Sequence, residues 1–355
     1  MASAPGRVAG SSTQVVAVAT SGGRDSTALL HCTLRQTDAL QQAGCAAPRV
    51  LALHVHHGLQ PQADSWAAQV RTQARRWGAD FDCMRLSGQP ARGESVEAWA
   101  RRGRYAALVQ MAQAAGCSLV LLGQHRRDQA ETVLLQALRG AGPAGLAAMP
   151  AQRSIDGVVF ARPWLAQPRE AIEVYLRRHR LSYVDDSSNA DPRYTRNRLR
   201  LQVWPALLQA FPEAESSLRH TAERCAEARA LAEECALLDL AQAAAPDGTL
   251  QASALRMLSQ ARRRNALRAW LAQAQTRPVP ETLVRRLADE LLASTYAVWP
   301  GPGGQVQLRR DRLSWQAGQG AEPPAQLHTR AQAQVDARPH AQAQAAVPVQ
   351  RQDEP

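Results

Sequence analysis

An apolar run from Val15 to Thr20 stops at Ser21-Gly22-Gly23. After Arg24-Asp25 the chain resumes as an apolar-periodic segment, Ser26–Ala43. That order reads as strand, tight turn, helix, and it repeats. Further strand candidates are Val50–Val55, Phe81–Leu86 and Leu119–Gly123, and they alternate with helix candidates Asp64–Trp77, Glu94–Ala115 and Asp128–Arg139. A βα repeat of this kind predicts a parallel sheet covered on both faces. In such folds ligands sit beyond the carboxyl ends of the strands. The polar clusters fall at those ends: Ser21–Ser26 after the first strand, His54–Gly58 after the second, Gln124–Asp128 after the fourth.

The turn has the chemistry of a phosphate cradle. Gly22 and Gly23 allow positive φ and remove the Cβ atoms that would block a close approach. The backbone N–H groups of the turn and of the helix start then converge with the helix dipole behind them. Ser21 and Ser26 add hydroxyls, and Asp25 either caps the helix or holds Mg²⁺ on the phosphates. All 42 basic residues are arginine, so a Walker A loop, which needs a lysine, cannot exist in this chain. Neutralisation falls to N–H donors, Mg²⁺ and Arg24. A plain Gly-Gly turn flanked by caps would use the same six residues.

The formal net charge of +11 points first to nucleic acid as partner. No stretch approaches the roughly 18 apolar residues of a membrane span. The start, MASAPGRVAGSSTQ, lacks the apolar core of a signal peptide. A soluble cytoplasmic protein with no membrane or protein partner is expected. The six cysteines form no C-x-x-C pair, and no structural metal is expected. Cys225 and Cys235 read as core residues on one helical face with Leu218, Ala222 and Leu238.

The residues Ser21–Ser26, SGGRDS, resemble the S-G-G-x-D-S loop of the PP-loop ATP pyrophosphatases. The resemblance implies a Rossmann-like adenine-nucleotide-binding α/β domain that holds ATP at Ser21, Gly22, Gly23, Arg24, Asp25 and Ser26. It also implies cleavage between the α- and β-phosphates, adenylation of an acceptor, and displacement of AMP by a nucleophile. HVHHGLQ (His54–Gln60), VEAWARRGRY (Val96–Tyr105), the Gly123–Pro150 segment, PRYTRNRLRLQVWPALL (ending at Leu208) and Gly248–Leu271 are similar to the tRNA(Ile)-lysidine synthetases. That family joins free lysine to C2 of the wobble cytidine in a tRNA(Ile) with anticodon CAU. The product reads AUA instead of AUG and carries isoleucine instead of methionine.

Asp128 and Glu131 lie three apart and share a helix face. They suit the ammonium of lysine or a Mg²⁺, or merely complement the helix dipole; the resemblance, through D-Q-x-E, implies lysine binding. Where the family commonly has a histidine and an acid, this chain has Gln124 and Arg127, and Arg127 is a candidate phosphate contact. Arg101 and Arg104, with His57 at the site mouth, are ATP or tRNA phosphate candidates, against a solvated salt-bridge row with Glu97. Arg193, Arg196, Asn197 and Arg200 suit tRNA contact, against an exposed basic helix. In the second domain Arg262, Arg263 and Arg264 suit RNA backbone contact, while Trp270 and Trp315 read as core.

The expected organisation is a flexible N-terminus over 1–13, a catalytic domain over 14–212, a smaller, mainly helical tRNA-binding domain over 213–318, and a disordered tail over 319–355. Within the second domain the helices expected are Glu213–Asp239, Ser253–Gln273 and Pro280–Ala293, with one short β element near Val306–Trp315. The competing functions are a tRNA thiolase, which the missing C-x-x-C disfavours, a small-molecule amidating synthetase, which the basic charge disfavours, and a non-catalytic RNA-binding protein.

Overall fold

The computed structural model describes residues 14–58, 62–90, 95–185, 191–274 and 278–318. The expected flexible start over 1–13, the tail over 319–355 and the positions Gln60 and Glu94 lie outside the described residues. The chain divides into two compact units between Arg229 and Ala230.

The first unit is an α/β sandwich. In chain order it runs β1 (Val15–Ala19), α1 (Arg24–Gln42), β2 (Arg49–His56), α2 (Ala63–Arg76), β3 (Asp80–Arg85), α3 (Val96–Ala114), β4 (Leu119–Leu121), α4 (Arg126–Ala137), α5 (Pro143–Leu146), β5 (Gln152–Ile155), β6 (Val158–Ala161) and α6 (Arg169–Arg178). It continues with α7 (Thr195–Arg198), a π-helical turn (Leu199–Val203) and α8 (Trp204–Ala210). The sheet order is β3-β2-β1-β4-β6-β5, with β5 the one antiparallel strand. The four expected strands and helices up to α4 are in place. The β5–β6 hairpin was not expected. Its signal is Asp156-Gly157, both at positive φ (47° and 80°), the two-residue turn that matches strand twist.

Strand residues alternate between two cores, as the period of two requires. Ala17, Leu51, Leu53, Val120 and Phe160 pack with Leu108 and Met111 of α3. Val18, Val50 and Ala52 pack with Leu29 and Leu30 of α1 and Ala74 of α2. The π-helical turn has a local cause. Pro205 has no N–H to give the carbonyl of Leu201, so the regular ladder cannot continue through it.

α9 (Ala214–Ala243) is one helix that crosses the division between the units. The second unit continues with β7 (Leu250–Gln251), α10 (Ala252–Met257), α11 (Gln260–Ala274), α12 (Glu281–Glu290), β8 (Tyr296–Gly301), β9 (Gly304–Arg309) and β10 (Arg312–Ala317). The last three strands and β7 form an antiparallel sheet in the order β7-β10-β9-β8. This is more sheet than the single β element expected. Trp299, Val306, Leu308 and Leu313 of the sheet share one core with Leu255, Leu267, Trp270, Leu271 and Leu287 of the helices, and Trp315 packs against it. The expected helix Ser253–Gln273 breaks where Leu258 turns extended and Ser259 Oγ accepts the Arg262 N–H to start α11. The proposed face of α9 is also corrected. Ala222 is buried but Leu238 is exposed: at about 100° per residue, Leu238 lies roughly 200° around the helix from Leu218.

Phe160 has no exposed surface and meets Tyr105 edge-on, ring centroids 5.2 Å apart. Phe160→Ala should cost about 3–5 kcal/mol, read as a lower denaturation midpoint of the first unit.

Candidate functional site

The sheet reverses its winding between β1 and β4: β2 and β3 lie on one side of β1, and β4, β6 and β5 on the other. Helices from the two carboxyl ends therefore diverge, leaving a crevice between Ser21–Ser26 and Gly123–Asp128. Two glycines permit it. Gly22 has φ +84°, and a Cβ there would sit 2.8 Å from Val70 Cγ2; a Cβ at Gly123 would sit 3.2 Å from the Asp25 backbone carbon.

The loop is held by its own hydroxyls. The Ser21 N–H donates to Ser26 Oγ at 3.1 Å, and the Gly23 N–H donates to Ser21 Oγ at 3.2 Å. Ser26 Oγ donates to the Gly23 carbonyl at 3.0 Å, and Thr27 Oγ1 donates to the Gly22 carbonyl at 3.1 Å. Helix α1 starts with no side-chain cap, so Asp25 does not serve as one. Instead its Oδ1 is buried without a hydrogen-bond partner. Burial pushes the Asp25 carboxyl up against the lowering pull of His125 and Arg24. A buried carboxylate oxygen that accepts no hydrogen bond and has only the Arg24 Nε beside it, at 3.7 Å, suits a hard cation next to a phosphate-type loop, so the residue fits Mg²⁺. Arg24 is shared: its Nη1 reaches α6, donating to Glu173 at 3.0 Å, while its Nε stays 3.7 Å from Asp25 Oδ1.

His125, which sequence reasoning passed over, sits between the two halves. It is buried, with Nε2 3.7 Å from Asp25 Oδ2 and 3.5 Å from Asp128 Oδ2. Its backbone N–H donates to Asp128 Oδ2 at 3.1 Å. The available signal was its place: the last residue before a helix whose first turn holds an acid.

Asp128 and Glu131 do share a face, and the structure brings two candidate tRNA arginines onto them. Arg200 donates to Glu131 Oε1 at 2.7 Å and to Asp128 Oδ1 at 2.9 Å. Arg196 lies 3.1 Å from Glu131 Oε2 and donates to Thr132 Oγ1 at 2.7 Å. Glu131 has no exposed side-chain surface, whereas Asp128 keeps 13%. Burial works against the Arg200 charge, yet its bond to Glu131 and the charges of Glu131, Asp128 and Asp25 outweigh it and raise its pKa. Arg196 and Arg200 therefore belong to the carboxylate site and not to an exposed basic face. Asn197 is corrected too: it is buried and donates to the Asp191 carbonyl at 3.0 Å. Arg193 alone of this cluster is strongly exposed, held by Asp191 at 2.7 Å.

Arg127 is likewise not free for phosphate. It is held by Glu215 of α9 and donates to Glu170 of α6 at 2.9 Å. A second polar group gathers around α3. Arg104 lies over the Tyr105 ring at 5.7 Å, and Arg101 over the same ring at 5.6 Å. Tyr105 Oη accepts from Arg162 at 3.0 Å. Arg104 Nε and His57 Nδ1 are buried without partners. Burial first, then Arg104 and the neighbouring histidines, lower the His57 pKa to about 4. The three strand-end histidines have separate tasks: His54 bonds the Thr20 carbonyl at 2.8 Å, while His56 accepts from the Gly58 N–H at 3.2 Å.

In the second unit the expected basic row is divided. Arg263 is buried and donates to the carbonyls of Ala288 and Leu258, at 2.9 and 3.0 Å. It is a structural residue and not an RNA contact. Arg262 pairs with Asp239, and Arg264 with Asp289 at 3.1 Å. Among the described residues no helix is long and apolar enough to cross a membrane.

A PP-loop domain family model matches residues 4–207, and a TilS substrate binding domain model matches residues 250–314. A tRNA(Ile)-lysidine synthase of Ralstonia nicotianae is 46% identical over 315 residues, 87% of this chain and 66% of that protein. One from Burkholderia pseudomallei is 41% identical, covering 86% of this chain and 62% of that protein. One from Polaromonas naphthalenivorans is 42% identical, covering 80% of this chain and 83% of that protein. The chain thus spans somewhat less than two thirds of the length of the first two. A solved structure of the U34-tRNA thiolase NcsA from Methanococcus maripaludis, with its [4Fe-4S] cluster, aligns with TM-score 0.50 at 15% identity, over 60% of this chain and 72% of that one. At that identity the likeness is one of fold alone.

Two pH effects follow from the buried groups. His57 titrates lower when folded, so stability is complete above pH 6.5 and is lost as pH falls from there toward 4. The loss is on the order of 3 kcal/mol, and His57→Gln should flatten it in denaturant melts across that range. The Asp25 carboxyl is raised, so its ionised form opposes folding at neutral pH. Asp25→Asn should raise Tm at pH 7, with the gain vanishing below pH 3.8, the ordinary value.

Proposed function

The chain belongs to the tRNA(Ile)-lysidine synthase family, and on that premise we propose that it ligates lysine to C2 of the wobble cytidine of a CAU-anticodon tRNA(Ile), at the expense of ATP. The observation that carries the reading is the juxtaposition at one crevice of a phosphate-type loop and an acidic helix start. ATP lies with its phosphates on Ser21–Ser26, where N–H groups, hydroxyls and the α1 dipole face them. Mg²⁺ would be held by Asp25 and would supply charge neutralisation there. The cytidine O2 attacks the α-phosphorus, the bond to the β-phosphate oxygen breaks, and pyrophosphate leaves into the loop. Positioning and electrostatics supply most of the acceleration.

The ε-amine of lysine then attacks C2 and AMP departs with the former cytidine oxygen. The amine must arrive neutral or lose its proton at the site. Asp128 is the better acceptor of the two carboxylates, because Glu131 is sealed behind Arg196 and Arg200. Glu131 supports the site through those arginines. For lysine to reach Asp128, its ammonium takes the place of the Arg200 contact at Asp128 Oδ1. Arg101, Arg104 and His57 suit ATP or tRNA phosphate, since Arg104 Nε and His57 Nδ1 have buried, unused hydrogen-bonding capacity. Arg193, Arg262 and Arg264 remain candidates for tRNA backbone. We assign residues 14–212 to the catalytic domain and 213–318 to tRNA binding, in the cytoplasm where tRNA and ATP are found.

Labelled lysine should become acid-precipitable with the CAU transcript and ATP, and not with a transcript carrying U at the wobble position. Incorporation into both, or into neither, overturns the reading. Asp128→Asn/Glu131→Gln should lower kcat/KM for lysine by about 10²-fold or more while ATP still binds.

A further inference from the structure

Away from the crevice, a groove of about 630 Å³ opens between α1, α2 and the end of α6. Its size lies within the roughly 300–1,000 Å³ of small-ligand sites. One wall is aromatic. His31 meets Trp77 and His179 with ring centroids 5.1 Å apart in each case, and its Nδ1 lies 2.8 Å from Tyr175 Oη. Burial first, then His179 and Arg35, lower the His31 pKa, so this wall is neutral ring at pH 7. The rim is cationic: Arg76 and Arg180 are exposed. Among the described residues that line the groove none is acidic. The arginines elsewhere in the site regions are mostly paired with carboxylates, so a rim of this kind is a distinct feature.

Arg180 is held at φ +50° just past α6, a position that glycine usually takes. The Leu181 N–H returns to the Leu176 carbonyl at 3.0 Å and fixes that turn. Gln73 of α2 donates to the Ser182 carbonyl at 2.7 Å, closing the groove floor. The same two walls continue to the phosphate loop. The Val184 N–H donates to the Gly22 carbonyl at 2.8 Å, and Val70 of α2 packs against Gly22.

Flat neutral rings beside two guanidiniums with no acidic partner among the described residues are the chemistry of nucleotide recognition: a π-face for the base and a cation for its phosphate. We propose that this groove takes an unpaired nucleotide of the tRNA, its base against Trp77 and His179 and its phosphate at Arg76 and Arg180. The proposal rests on the tRNA-ligase reading for the identity of the RNA. Bound there, the RNA is registered against the same α2 and Val184 contacts that hold the phosphate loop.

The test is binding, measured by fluorescence anisotropy of a CAU tRNA(Ile) transcript on the full chain across a salt series. Arg76→Ala/Arg180→Ala changes two exposed side chains and should leave Tm as it is. It should weaken tRNA binding about tenfold and lower the salt slope by about 0.7, the value for one phosphate of a single strand, while ATP binding is unchanged. His179→Ala should weaken binding at least about fivefold with the slope unchanged, because stacking releases no counterions. Parent-like affinity and slope in the arginine pair overturn the proposal. So does a second AMP site, seen by equilibrium dialysis, that the arginine pair loses while tRNA binding stays intact: the groove would then serve a free nucleotide. A parent that transfers lysine, with an arginine pair that binds tRNA normally, removes the groove and keeps the ligase reading. A parent that transfers no lysine, but whose tRNA affinity depends on these arginines, keeps the groove and removes the ligase reading.

Discussion

Everything at the crevice depends on a reversal of winding between two parallel neighbours, β1 and β4. Because β1 pairs with β2 on one side and with β4 on the other, the helices that follow β1 and β4 leave the sheet in opposite directions. Their N-termini are left facing a common gap, with N–H groups and dipoles turned toward it. Gly22 and Gly123 let the two chain segments come close enough to share residues such as His125. A phosphate loop alone is common chemistry; its placement against a second strand end lets a second reactant meet it.

Charge at this gap is arranged in layers. Glu131 is fully buried and carries two arginine partners, as a buried carboxylate must if it is to remain charged. Asp128, one turn nearer the opening, shares one of those arginines and also caps its own helix. Asp25 Oδ1 and Glu131 Oε2 both accept no hydrogen bond, but Glu131 Oε2 has the Arg196 Nε at 3.1 Å whereas Asp25 Oδ1 has the Arg24 Nε only at 3.7 Å. Contact with guanidinium thus loosens from Glu131 in the interior to Asp25 at the loop, and this orders which group exchanges partners when ligands arrive. Arginine suits the paired end, because a planar fork satisfies two carboxylates at once in a way that an ammonium cannot. In this chain without lysine, one arginine spans both Asp128 and Glu131.

Arg127 shows how a departure in sequence is absorbed by tertiary contacts. A basic residue stands where the resemblance to the lysidine synthetases implies an acid, and it is met by Glu170 on α6 and Glu215 on α9. The pairing ties the start of the long α9 helix to the first turn of α4 within the first unit. The side chain is therefore a brace and not a ligand, which its neighbours in sequence, Arg126 and Asp128, gave no reason to expect.

The βα repeat, the glycine turn and the acidic D-Q-x-E helix start were legible in the sequence because each is local. Periodicity, positive-φ glycine and i, i+3 spacing act over a few residues, and tertiary packing only reinforces them. The β5–β6 hairpin was not anticipated: its one local signal is Asp156-Gly157, and its strands are too short for periodicity to announce. What only the tertiary structure decided is partnership. The sequence placed Asp128 and Glu131 in one cluster and Arg196 and Arg200 in another, about 70 residues apart by their numbering. Folding, helped by the π-helical turn that Pro205 enforces, made them one site. In the same way it buried Arg263 and Asn197, turned Arg24 toward α6, and set Trp77, His179, Arg76 and Arg180 around one groove. A charged side chain's role depends on the sign and distance of what faces it, and that is a property of non-local contacts which no spacing along the chain encodes.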